Sequence, residues 1–260
     1  MSALPNFSPA AVLNPPRFRA SGVSSARLRL VEAPHRSVAH VAPDLSMTHE
    51  VARRALNIVV ACIGLVLAAP IMLVVAIAVR LTSPGPVIYT QIRIGQDRRR
   101  RGGSAGAPRR ANDLGGKPFR IYKFRTMRVD AEKASGAVWA TQNDPRVTPI
   151  GRVLRKYRLD ELPQLFNVIL GDMNIVGPRP ERPVIFQELR QTIHGYEYRQ
   201  LARPGITGLA QVSQNYDSNL DDVKRKVQYD LTYIRKQSLV EDMRIMALTV
   251  PVVLFGKGGW

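Results

Sequence analysis

The stretch ALNIVVACIGLVLAAPIMLVVAIAV, residues 55–79, decides how the rest of the chain must be read. Its 25 residues carry no charge. As a straight helix they would cover about 37 Å, more than the ~30 Å hydrocarbon core of a bilayer. A soluble domain rarely hides so long an unbroken apolar run, so a membrane segment is expected. Pro70 stands in its middle, where it removes a backbone donor and clashes with the preceding turn, and a bend is expected there. Arg53 and Arg54 precede the run, and Arg80, Arg93 and the DRRRR of residues 97–101 follow it. Basic flanks favour the cytoplasmic side of a membrane, and here both flanks are basic. A segment that enters, bends at Pro70 and returns places both on that side, whereas a straight span places only one. Proline is also tolerated in spanning helices, so both topologies stand at this point. The one cysteine, Cys62, lies inside the run and is expected to act as a small buried hydrophobe. A single cysteine excludes an intrachain disulfide and a cysteine metal cluster.

Before the run, residues 1–48 are rich in proline and basic residues and poor in apolar periodicity. They predict a flexible, positively charged extension, with a small peripheral subdomain as the alternative. A secretory signal is not predicted, because the apolar run starts late and no small-residue cleavage pattern follows it. Beyond it, residues 97–116 read as a basic loop beside the membrane, either attracted to anionic headgroups or merely solvated. KPFRIYKFRTM (117–127) predicts a short strand. Residues 149–200 carry most of the helical pattern, and NLDDVKRKVQYDLTYIRKQ (219–237) predicts a helix with acidic residues at its start, which suits its dipole. The whole chain has 38 Lys+Arg against 20 Asp+Glu, a formal net charge of +18 that asks for a polyanionic partner: nucleic acid, anionic lipid or phosphorylated substrate.

The chemistry concentrates in YRLDELPQLFNVILGDMNIVGPRPE, residues 157–181. Leu162, Leu165, Phe166 and Ile169 recur at the spacing of one helical face. With Pro163 in a first turn, Asp160 is expected as the N-cap and Gly171 near the stop. An N-capping aspartate stays ionised and is a competent oxygen nucleophile, and a phosphoryl group it acquired would occupy an anion-friendly spot. The plain alternative is a capping aspartate followed by a first-turn glutamate, Glu161. Around the pair stand Arg152, Arg155, Lys156, Arg158, Arg179 and Arg182, more cation than two carboxylates require. Asp160 and Glu161, with Asp172, could take Mg²⁺, a hard cation that keeps company with substrate phosphates. Arg179 sits in a rigid GPRP turn, as a phosphate fork or as a surface salt bridge. Lys123 and Arg125 share a strand face, as a phosphate clamp or a solvated face. Asp144, Arg146 and Arg203 fit a turn role as well as a substrate role. His194 has no second histidine at i+3 or i+4, which speaks for a surface histidine and against zinc chemistry. There is no Walker A motif, no dinucleotide fingerprint and no nucleic-acid-binding motif, so nucleic acid is not expected as a partner.

Four blocks, SPGPVIYTQIRIG (83–95), PFRIYKFRTM (118–127), LDELPQLFNVILGDMNIVGPRPE (159–181) and RPGITGLAQV (203–212), make the chain resemble the bacterial sugar transferase family, the monotopic polyprenyl-phosphate phosphoglycosyl transferases. It resembles the minimal catalytic core, without the four additional spanning helices of larger members. The resemblance implies an α/β, mostly helical monotopic membrane protein. A re-entrant helix–break–helix over residues 49–82, broken at Pro70, would precede a cytoplasmic catalytic domain over 83–256 with amphipathic interfacial helices, and 257–260 would form a tail. It also implies transfer of a sugar 1-phosphate from a UDP-sugar to polyprenyl phosphate, commonly undecaprenyl phosphate, with release of UMP. Asp160 then forms the covalent phosphosugar intermediate, Glu161 is its dyad partner, and Mg²⁺ is required. Arg155 and Arg179 match phosphate-binding positions, while Lys123, Arg125 and Arg203 lie in matching blocks. The bacterial cytoplasmic membrane and its anionic lipids would be the setting, and a homodimer is left open. Two other functions compete: a Mg²⁺-dependent phosphodiester or pyrophosphate hydrolase using the same carboxylates, and a basic membrane-tethered scaffold. Candidate sugar selectors are Trp139, Asn143, Gln214, Asn215 and Tyr216, and a hexose 1-phosphate donor is expected.

Overall fold

A computed structural model of the 260-residue chain describes residues 47–97, 114–131, 144–214 and 220–254. The extension up to residue 46, most of the basic loop, the tail 257–260, and Trp139, Asn143, Asn215 and Tyr216 lie outside the described residues. The described part is mostly helical, with two small sheets.

The apolar run forms a single helix, α1 (Met47–Thr82), with Pro70 inside it. No interruption of the helix separates two halves at Pro70. At 36 residues it is about 54 Å long. Its buried residues, Arg53, Asn57, Ala61, Ala68, Val75 and Val79, follow one stripe. Much of the rest of its surface between residues 55 and 79 is exposed hydrocarbon, with Val66 and Leu67 73% and 70% exposed. Cys62 falls on that bare side and is exposed, contrary to the expected buried role, because the stripe passes through Ala61 instead.

Both ends of α1 are tied to the rest of the fold. Two strands follow it, β1 (Ile88–Ile94) and β2 (Pro118–Phe124), paired antiparallel with Tyr89 opposite Lys123 and Arg93 opposite Phe119. Then come α2 (Pro149–Lys156), a 3₁₀ turn (Leu159–Glu161), α3 (Gln164–Leu170), β3 (Asn174–Val176) and α4 (Pro183–Thr192). A second 3₁₀ turn (Tyr196–Leu201), β4 (Gly205–Thr207), α5 (Leu209–Ser213), α6 (Leu220–Arg235) and α7 (Leu239–Leu254) complete the order. Near its start, α1 sends Arg53 to Asp242 of α7 at 2.9 Å and to the Tyr233 hydroxyl of α6 at 2.9 Å. Arg54 donates to the carbonyls of Val168 and Ile169 at the end of α3, at 2.7 and 2.8 Å. These two arginines are therefore more than membrane flanks: they bolt the helix to the domain. Gly64, in the middle, faces Leu165 of α3. Toward its end, Val75 and Val79 pack with Phe124 and Leu154.

The expected helix after Asp160 begins later than the sequence predicts. Arg158 adopts the left-handed conformation (φ 54°), the 3₁₀ turn follows, and α3 is capped by Pro163. Asp160 is therefore inside the turn and is not the N-cap of α3. The stop at Gly171 is as expected, with φ 85° in the left-handed region where glycine carries no Cβ penalty. The buried face of α3 includes a polar residue, Asn167. Its side chain accepts from the Tyr122 amide at 3.0 Å and donates to the Arg120 carbonyl at 2.7 Å, satisfying the free edge of β2 as a neighbouring strand would. This bond pair holds the segment carrying the acid pair against the strand carrying Lys123.

Candidate active site

The acid pair lies in the wall of a cavity of about 730 Å³, within the size range of small-molecule sites. Asp160 and Glu161 are 6% and 7% exposed. Lys123, Arg125, Arg155, Arg158 and Arg179 line the same cavity, as do Arg93, Arg182 and Lys226.

Glu161 is held from two sides. Lys123 Nζ donates to its Oε1 at 2.9 Å. Arg179 donates through Nη1 to Oε2 at 3.3 Å and through Nη2 to Oε1. Burial pushes the Glu161 carboxyl up, but the charges of Arg179 and Lys123 outweigh it and hold the group well below the usual carboxylate range. Asp160 is different. Burial raises its pKa, Lys123 opposes that rise, and the charge of Glu161 adds to it. Among the described residues no side chain hydrogen-bonds the Asp160 carboxylate. One acid is thus fixed, ionised and weakly basic, while its neighbour is more basic than usual and open to a ligand.

The backbone that aims these groups is tightly specified. Thr148 caps α2 by accepting from the Gly151 amide at 3.0 Å, with Pro149 in the first turn. The last turn of α2 carries Arg155, whose Nε donates to Thr126 Oγ1 at 3.0 Å. Left-handed Arg158, the one non-glycine residue with positive φ among the described residues, then reverses the chain. Such conformations cost of order 1–3 kcal/mol and gather at functional sites. Arg179 is set by a different device. Gly177 and Gly205 stand backbone to backbone, where a Cβ on either would collide with the other strand. That contact lets β3 and β4 pair in parallel and brings GPRP against RPG. Buried Arg199 donates to the Arg179 carbonyl at 3.1 Å and to Asp230 of α6 at 2.7 Å. Lys226 of α6 reaches Glu181 at 2.9 Å. Burial raises the Glu181 pKa, but Lys226 and Arg199 bring it down to about 2.

Not every expected residue faces the acids. Arg125 lines the cavity, yet its guanidinium donates to Ser83 O and Oγ at 2.7 and 2.8 Å and to Pro84 O at 2.8 Å. It closes the end of α1 rather than pairing with Lys123 as a clamp. Arg203 lines a separate small depression of about 60 Å³ with Arg53, Arg54, Asn174 and Gln237. Arg146 lines the main cavity, pairing with Asp144 at 2.5 Å. Asp172 does not line it, and His194 is exposed. Gln214, one of the candidate selectors, lines the cavity. Sequence reasoning missed Tyr89, Gln91, Arg93, Gln211 and Lys226. The i, i+2, i+4 alternation of Tyr89, Gln91 and Arg93 was the available signal.

For a divalent metal, no group of three acidic, histidine or cysteine side chains stands together among the described residues. With Glu161 engaged by Lys123 and Arg179, Asp160 is the hard oxygen donor of the pair left open, and beside a cationic wall it fits Mg²⁺ that completes its shell with water and substrate phosphate. Asp160, with Glu161 at its side, would hold it; an all-protein cage is not supported. Chemically, the arrangement can hold a polyphosphate against an open carboxylate.

The chain belongs to the bacterial sugar transferase family, whose model matches residues 48–256. It is 40% identical over 206 residues to the UDP-N-acetylgalactosamine-undecaprenyl-phosphate N-acetylgalactosaminephosphotransferase of Aeromonas hydrophila, covering 79% of this chain and 44% of that protein. It is 42% identical over 208 residues to the UDP-glucose:undecaprenyl-phosphate glucose-1-phosphate transferase of Escherichia coli (strain K12), covering 79% of this chain and 41% of that one. A protein of the same name from Caulobacter vibrioides is 38% identical over 204 residues, 78% of this chain and 69% of its own length. The chain thus spans less than half the length of the first two relatives.

Proposed function

We propose that the chain transfers a sugar 1-phosphate from a UDP-sugar to polyprenyl phosphate through a covalent intermediate on Asp160, at the cytoplasmic face of the bacterial inner membrane. The observation that carries this is the asymmetry of the acid pair. Glu161 is locked by Lys123 and Arg179, while Asp160 faces a cationic cavity with no hydrogen bond from another side chain among the described residues.

In the first step an Asp160 oxygen attacks the phosphorus that bears the sugar. The bond from that phosphorus to the UMP oxygen breaks, and UMP leaves with the electron pair. In the second, an oxygen of the polyprenyl phosphate attacks the same phosphorus. The Asp160–phosphorus bond breaks, the carboxylate is restored, and polyprenyl-diphosphate-sugar results. Each displacement proceeds in line, so the acceptor enters from the side that UMP vacated. Lys123, Arg155 and Arg179 hold the phosphate oxygens in place and offset their charge. Glu161 keeps Lys123 and Arg179 oriented. Its low basicity speaks against a general-base role, and the second phosphate pKa of about 6 leaves an acceptor phosphate largely deprotonated at neutral pH. Mg²⁺, when bound at Asp160, supplies charge neutralisation for the donor diphosphate.

The membrane mode is part of the same reading. Both ends of α1 pack on one domain, Arg53 at one and Val79 with Arg125 at the other. A straight span would carry one end away to the opposite side. Support for re-entry therefore comes from the packing, with a bend of the continuous helix at Pro70 as the turning point. Exposed Phe166, Leu170, Val240 and Met243 on α3 and α7 suit an interfacial position beside it. A hexose donor, glucose or galactose, is the proposed sugar. The test is UMP release from a panel of UDP-sugars with and without undecaprenyl phosphate. Release that depends on the lipid and favours a hexose is expected. Steady lipid-independent cleavage would mean a hydrolase, and preference for an N-acetylated sugar would overturn the hexose assignment alone.

A further inference from the structure

Arg93 reads in the sequence as a membrane-flanking charge, but the structure turns it into the cavity. Tyr89, Gln91 and Arg93 alternate along β1, share one face of the strand and all line the cavity wall. They are joined in a ladder. Gln91 Nε2 donates to the Tyr89 hydroxyl at 2.9 Å, and Arg93 Nη2 donates to Gln91 Oε1 at 2.6 Å. On its other side Arg93 Nη1 donates to the Pro180 carbonyl at 3.1 Å, within the GPRP turn. The guanidinium is therefore fixed between a strand and a turn, entirely by neutral acceptors.

That is an unusual place for a cation. The Arg93 Nε is buried with no hydrogen-bond partner among the described residues. Glu181, the carboxylate that acts on it, is already engaged by Lys226 at 2.9 Å and Arg199 at 3.7 Å. Burial, with the charges of Arg179 and Arg182 added and that of Glu181 opposing, lowers its pKa to about 10. It stays charged at neutral pH, at a cost that an arriving anion would offset. Arg93 and Lys123 line the same cavity as the acid pair, so a ligand phosphate at Arg93 shares that cavity with one at the acid pair.

We propose that Arg93, oriented by Gln91, binds the phosphate of the nucleotide half of the donor, the half that leaves as UMP. This rests on the transferase reading above and adds a second phosphate position to it. Lys123, Arg155 and Arg179 take the phosphate that stays with the sugar. Arg93, with Arg182 close by, takes the phosphate whose bridging oxygen receives the electron pair when the bond to the sugar-bearing phosphorus breaks. Nη1 and Nη2 each spend one N–H on a neutral acceptor and each keep a second, and Arg93 lines the cavity, so its planar guanidinium suits that oxygen set.

The test compares UMP and uridine as competitive inhibitors of adduct formation, using the full chain in lipid nanodiscs with Mg²⁺. For Arg93→Gln the inhibition constant of UMP should rise at least tenfold, while that of uridine, which lacks the phosphate, stays within twofold. Arg93→Lys, which keeps charge and most of the packing, should rise three- to tenfold for UMP alone, and it decides the matter if the glutamine variant does not fold. Gln91→Met should give a smaller loss of the same kind. UMP constants unchanged in Arg93→Lys and Arg93→Gln would overturn the proposal, as would equal losses for UMP and uridine. If the wild-type chain forms no adduct and is not inhibited by UMP, the transferase reading fails and this assignment falls with it. If the wild type behaves as a transferase while the Arg93 variants bind UMP normally, only this assignment falls.

Discussion

Replacing Arg179 by alanine removes the fork that holds Glu161 while leaving Lys123 at 2.9 Å. Breaking one partner of a buried pair costs about 3–5 kcal/mol. The Arg179 side chain is 33% exposed, so water screens part of the loss, and the low end, about 3 kcal/mol, is the better figure. Arg179 is also a preorganised donor to the transferring phosphate, and removing one such donor should lower the rate of adduct formation roughly a hundredfold. The pH dependence should move as well, and its sign follows from the charges. Arg179 lowers the pKa of both acids, so its loss raises both. Asp160 must be ionised to attack, and the acid limb of the rate profile should shift to higher pH. Glu161→Gln removes a charge that raises the Asp160 pKa, so its acid limb should shift the other way. Arg179→Lys keeps a point charge without the fork and should fall between wild type and alanine. Single-turnover adduct formation from UDP-sugar, sampled by quench and mass spectrometry across pH 4–8, measures all of this. A rate within threefold of wild type in Arg179→Ala, with an unmoved acid limb, would refute the assigned role of the pair.

Arg125→Met should lower the thermal midpoint in detergent, by a loss of about 2 kcal/mol or more, because it frees the Ser83 and Pro84 carbonyls at the end of α1. An unchanged midpoint with a raised KM for the donor would instead make Arg125 a substrate ligand. For topology, single cysteines at Thr48 and Thr82 in a Cys62→Ala background should both resist an impermeant thiol reagent applied to intact spheroplasts, and both should label after permeabilisation. Labelling of one site alone before permeabilisation would establish a span.

Much of this arrangement is legible in the residues themselves. The length and neutrality of residues 55–79 announce α1, and the aromatic alternation of 118–124 announces β2. Glycine and acidic placement mark the end of α3 and the start of α6. What escaped depends on contacts distant in sequence. Nothing in Arg158 signals a left-handed residue, since it is neither glycine nor asparagine, and the shifted start of α3 follows from it. Asn167 breaks an apolar face because its partner is the edge of β2, some 45 positions away in sequence. Arg125 and Lys123 share a strand-like spacing, but the chain leaves β2 at Phe124, and Ser83 and Pro84 just after α1 take up the Arg125 guanidinium. Arg203 sits in a block adjoining β4, and it lines a depression that includes neither acid instead of the main cavity. The acid pair and its cations were visible as composition. Which acid is locked and which is open is a matter of geometry.

The measurement that bears most directly on the central claim is intact-protein and peptide mass spectrometry of the chain mixed with Mg²⁺ and a UDP-hexose in the absence of polyprenyl phosphate. One hexose-phosphate adduct is expected, on the peptide containing Asp160, with one equivalent of UMP released. The adduct should be discharged when undecaprenyl phosphate is added, and it should not form in Asp160→Asn with folding and membrane binding retained. UMP release and product formation that proceed only when both substrates are present, with no adduct on Asp160 at any time, would contradict it.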